Sequence, residues 1–141
     1  MEYCCDINRR AKECSMITAL YAGLAALFII ILIFRIARMR MKHGVGLGTG
    51  NVRELEQAVR VHGNFMEMVP MLLILMFIME SANISPLYLH IFGCLIILSR
   101  ILHFWGLTKS HETSAGRFLG TILALGLLFV GGLACIYIYL T

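Results

Sequence analysis

Charged side chains are scarce in this chain. Aspartate, glutamate, lysine and arginine together make up 14% of its 141 residues, against 60% hydrophobic residues. The mean hydropathy is +0.84. A soluble domain of this length has too much surface to hide so much apolar side chain. That shortage of charge therefore excludes a soluble globular protein and points to an integral membrane one. The net charge of +4 is small, and its basic residues lie beside apolar runs. They form no soluble basic patch of the kind that binds nucleic acid.

Other absences narrow the choice further. There is no C-x-x-C pair and no Cys/His cluster with metal-binding spacing, so no zinc site is expected. The five cysteines are an odd number, which argues against a complete disulfide framework. Cys94 and Cys135 lie inside apolar runs and read as small packing residues. The alternating glycines of "HGVGLGTGN" are not followed by lysine and Ser/Thr, and no strand precedes them. A phosphate-cradling loop is thus disfavoured against a flexible connector. No polar stripe is repeated along the chain, which places a small transporter or channel subunit last among the readings.

Two long runs carry no charge at all, from Ile17 to Phe34 and from Phe118 to Thr141. A membrane helix needs roughly 20 residues. The stretch from Ile84 to Leu107 is interrupted only by His90, Arg100 and His103. Met68 to Met79 is too short to span unless its helix starts near Leu55 and carries Arg60 to Glu67 with it. The expected fold is all-α, an integral membrane four-helix bundle. Its spans lie at about 17–39, 55–80, 85–107 and 117–140 within a domain 16–141. Residues 1–15 read as a tail without helical periodicity, dispensable for insertion.

The loop "ESANISP" lacks lysine and arginine, whereas the first and third loops are basic, with Arg100 and Arg117 bounding the third. The positive-inside rule then puts both termini outside the cytoplasm. Tyr21, Tyr88, Tyr137 and Tyr139 fall at the outer ends, as an aromatic belt. Asn51 and Glu54 have the spacing of a capping box for the second helix.

The informative stretch is "RVHGNFMEMVP". Arg60, Asn64 and Glu67 follow one another at i, i+4 and i+7, so they share one helix face. Glu56 extends the stripe, and His62 points away from it. An isolated charge at the centre of a membrane helix costs at least ~2.5–3.5 kcal/mol. Such residues face protein or water. Pro70 leaves the carbonyl of Met66 without its helical partner and favours a kink beside the stripe. Arginine, asparagine and glutamate together suit a zwitterionic, peptide-like ligand.

On these residues, Arg-x-x-x-Asn-x-x-Glu-x-x-Pro in the second of four spans, the chain resembles the MAPEG family. These are membrane-associated proteins of eicosanoid and glutathione metabolism. The basic first loop and the "SRILHFWG" end of the third span support the likeness, which is closest to the small bacterial members. The resemblance implies a homotrimer in a bacterial inner membrane. It also implies glutathione as a substrate, bound by Arg60, Asn64, Glu67 and His103 between subunits near the cytoplasmic side. Arg117 would stabilise the thiolate, with Lys109 as the backup cation. The implied activity is a glutathione-dependent transferase or peroxidase acting on hydrophobic electrophiles in the lipid. Met68 and Leu107 stand where many family members have tyrosine. They support the alternative of a non-catalytic lipid- or glutathione-binding protein of the same fold.

Overall fold

A computed structural model describes residues 16–109 and 115–141. It consists of four helices: α1 Ile17–His43, α2 Arg53–Ser81, α3 Pro86–Lys109 and α4 Ala115–Leu140. No strand occurs among the described residues. All four helices are long and apolar enough to cross a membrane. The tail and the third-loop residues 110–114 lie outside the described residues, as does the side chain of Lys109.

Each helix buries one side inward and leaves the rest apolar and exposed, as lipid requires. Leu32, Leu72, Met76, Ile96 and Ala124 are fully or almost fully buried. Phe34, Phe118, Phe129 and Tyr139 are turned outward. α2 runs without a break through Pro70. Phe28 of α1 stacks on Phe65 of α2, with ring centroids 5.5 Å apart, and meets Phe104 of α3 edge-on at 6.0 Å.

Close packing of α4 on α3 rests on small residues. Gly116, Gly120 and Ala124 recur every four residues, a pattern that lets membrane helices approach backbone to backbone. A Cβ at Gly120 would lie 2.6 Å from the carbonyl oxygen of Ser99 and 2.7 Å from the amide nitrogen of His103. Neither backbone atom can move aside cheaply. Gly120→Ala is expected to cost roughly 1–3 kcal/mol through forced separation of the two helices. Denaturation of the detergent-solubilised protein, followed by circular dichroism, measures this. An unchanged unfolding midpoint would contradict the packing.

Helix ends depart from the sequence reading. Asn51 has φ 58°, and α2 starts after Val52 with no side-chain cap bond, so the Asn51–Glu54 capping box does not form. Met16 also gives α1 no side-chain cap. The Glu80 carboxylate at the end of α2 instead accepts from the backbone N–H groups of Ile17 and Thr18. It thereby satisfies orphan donors and opposes the positive helix terminus.

The first loop is more than a slack connector. Gly44 takes φ 65° in the left-handed region that a side chain disfavours, and Val45 N–H donates back to Arg40 O at 3.0 Å. Arg40 then reaches forward to the carbonyl of Gly46 at 3.1 Å.

Tyr21 does not belong to an exposed belt. It is buried, with its ring filling the space left by Gly93. Its hydroxyl donates to the carbonyl of His90 at 3.0 Å and lies 3.1 Å from His90 Nδ1 and 3.2 Å from Cys94 Sγ. Cys94 is accordingly an exposed polar contact rather than a packed core residue. Tyr88, Tyr137 and Tyr139 remain exposed.

Candidate functional site

A cavity of about 340 Å³ opens between α2, α3 and α4 toward the basic end of the bundle. Its walls are Val59, Arg60, Gly63, Asn64 and Glu67 of α2, His103 of α3 and Arg117 of α4. The i, i+4, i+7 stripe supplies one wall because those side chains share a helix face. Gly63 lies between Arg60 and Asn64 in sequence and has nothing within 4 Å of where a Cβ would stand. The cavity thus brings together Arg60, Asn64, Glu67, His103 and Arg117 from three helices.

Their surroundings differ. Arg60 is exposed, and its Nε lies 3.6 Å from Oε1 of Glu56 one turn earlier. That pair sits at the solvated mouth and contributes little to stability. Glu67 stands at the midpoint of α2 and is exposed on the bundle surface. It has no ion-pair partner among the described residues. A carboxylate at that depth needs a ligand, water or another chain beside it.

His103 is buried and lies 3.2 Å, through Nδ1, from the Thr121 hydroxyl. The Thr121 hydroxyl also lies 3.0 Å from the carbonyl of Arg117, to which it can donate. Thr121 thus ties the imidazole to α4, a contact that sequence spacing alone does not indicate.

The largest omission from the sequence reading is Arg100. It was read as a cation bounding the third loop, yet it is 97% buried, with only 3% exposed. Its Nη1 donates to Asn64 Oδ1 at 2.7 Å and approaches Asn64 O at 3.4 Å. Nη2 donates to the carbonyl of Gly120 at 3.3 Å, and Nε donates to Ser99 Oγ at 3.1 Å. Ser99 can accept because its own proton goes to Ile96 O at 2.7 Å. One guanidinium therefore ties α2, α3 and α4 together behind the cavity and holds the Asn64 amide in place. Its bonds run to neutral oxygens alone, which leaves a net positive field at the cavity floor.

The electrostatic sum favours an anion. Arg60 and Arg117 line the cavity with one midspan carboxylate, Glu67, Arg60 also pairs with Glu56, and the buried Arg100 adds its charge behind Asn64. No group of three or more His, Cys, Asp or Glu that could hold a metal occurs among the described residues.

Comparison with known proteins gives two results. A sequence model of the MAPEG family matches residues 18–137. "Inner membrane protein YecN" of Escherichia coli strain K12 is 37% identical over 91 residues, which cover 64% of this chain and 70% of the relative. The protein of the same name from Escherichia coli O6:H1 matches to the same extent.

Proposed function

The chain belongs to the MAPEG family, and from that premise we propose that it is a glutathione-dependent transferase or peroxidase acting on hydrophobic electrophiles. The observation that carries this reading is the single cavity lined by Arg60, Asn64, Glu67, His103 and Arg117. Glutathione has two carboxylates, an ammonium group, amides and a thiol. Arginine forks bind carboxylates, Glu67 accepts from an ammonium or amide, and Asn64 offers both donor and acceptor. The electrophile reaches the thiol from the lipid, where apolar compounds concentrate.

In this reading Arg117 stabilises the thiolate, which is the nucleophile. His103 offers a ring nitrogen for a hydrogen bond with the bound peptide. The exposed Glu67 supports a site completed by a neighbouring copy in a homotrimer. The relative's name agrees with placement in a bacterial inner membrane. The basic first loop supports both termini lying outside the cytoplasm.

The test is turnover. Purified protein should conjugate glutathione to a generic hydrophobic electrophile faster than buffer does. A protein that binds glutathione without accelerating conjugation would favour the second reading, a non-catalytic glutathione- or lipid-binding member. The absence of tyrosine from the described cavity lining favours that second reading.

A further inference from the structure

His90 and Cys94 take no part in the cavity and lie toward the other end of α3. They stand at i and i+4, so they are neighbours on one helix face. The same spacing lets two histidines of one helix hold a zinc ion in metalloproteases. Tyr21 of α1 joins them. Its ring seats in the notch at Gly93, where a Cβ would lie 2.3 Å from Cδ2 of the ring. Its hydroxyl lies 3.1 Å from His90 Nδ1 and 3.2 Å from Cys94 Sγ. Two metal-ligating atoms thus converge on one point. Tyr21 is buried behind that point, while His90 and Cys94 are both exposed and leave it open to an ion.

The donor set selects the ion. His90 lies ~6 Å and Cys94 ~12 Å along α3 from Pro86, inside the span. Apolar surroundings penalise net charge. A thiolate, a neutral imidazole and a monovalent cation sum to zero, whereas a divalent cation leaves the complex positive. Zinc also takes a full tetrahedral set. No group of three or more His, Cys, Asp or Glu is available for one among the described residues. Thiolate selects soft Cu(I), which imidazole also suits and which accepts few ligands.

We propose that Cys94 Sγ and His90 Nδ1 bind one Cu(I) ion per chain. The thiol proton leaves to water as the sulfur–copper bond forms, and the copper keeps its oxidation state. Tyr21 is the positioning residue. Its hydroxyl, which also donates to the carbonyl of His90 at 3.0 Å, holds both ligand atoms turned to the same point. The site is separate from the cavity of the proposed activity and does not depend on that activity.

Anaerobic titration of the full-length protein in detergent tests it, with Cu(I) supplied by bathocuproine disulfonate and kept reduced by ascorbate. Cys4, Cys5, Cys14 and Cys135 are first replaced by serine, so that Cys94 is the one remaining thiol. One Cu(I) per chain should leave the chelator, and equimolar Zn(II) should not displace it. Tyr21→Phe should weaken binding about 10–100-fold, the usual cost of losing a group that orients a ligand, and His90→Ala should weaken it more. Cys94→Ser should abolish it. A folded Cys94-only chain that takes no copper, or an unchanged affinity in His90→Ala, would overturn the proposal. A second measurement needs no cysteine variant. In the unaltered chain, saturating Cu(I) should block N-ethylmaleimide labelling of Cys94, read by peptide mass, and His90→Ala should restore it. Labelling of Cys94 that copper leaves unchanged would equally overturn the site.

Discussion

Replacing Asn64 by leucine is expected to destabilise the bundle by roughly 2–4 kcal/mol, before any ligand is considered. The reason is Arg100. The bond from its Nη1 to Asn64 Oδ1, at 2.7 Å, is the shortest that the guanidinium makes. Leucine would fill the space but leave a buried charge one acceptor short. Removing the charge as well should help: Arg100→Leu on the Asn64→Leu background should recover part of the loss, because neither polar group is then stranded. A double-mutant cycle on unfolding midpoints in detergent measures the coupling. Additive effects would mean that the two side chains do not depend on each other. The cycle also protects the functional reading, since an Asn64 variant that fails to bind glutathione could simply be unfolded.

Arg117→Ala should leave glutathione bound but largely un-ionised at neutral pH. A free thiol has a pKa near ~8.5, and a cation within about 4–6 Å lowers such a value by roughly 1–3. In the wild type, the thiolate should therefore form as pH rises through about 5.5–7.5, and be nearly complete above that window. Without the arginine, the rise should move back toward pH ~8.5, and conjugation at neutral pH should fall about 8–30-fold, in step with the lost thiolate fraction. Ultraviolet difference spectra of the bound thiol, recorded against pH, follow the shift. If wild type and variant titrate together, Arg117 has no part in activating the thiol.

Spacing alone made the α2 stripe legible, because three polar residues at helical period in an apolar span have to share a face. His103 and Arg117 needed the family resemblance, since nothing local ties two separated helices to one cavity. Arg100 was misread for an understandable reason: arginines near span ends usually act as anchors. Its depth was the available signal. Nine residues separate it from the end of α3 at Lys109, about 13 Å of helix, too far for an end anchor to reach water without rearrangement. Tyr21 failed differently. Its burial depends on the missing side chain of Gly93 on another helix, and one sequence does not pair a tyrosine with a distant glycine. The cap from Glu80 is a tertiary contact of the same kind.

The central claim is that the cavity between α2, α3 and α4 holds glutathione. Equilibrium dialysis of labelled glutathione against the purified protein tests it most directly, with Arg60→Ala and Glu67→Ala beside the wild type. Both variants lie at exposed positions, so they should fold. The account predicts saturable binding by the wild type, weakened at least about tenfold in each variant through loss of a charge-assisted contact. A folded wild-type protein that binds no glutathione, or variants that bind it as tightly as the wild type, would contradict it.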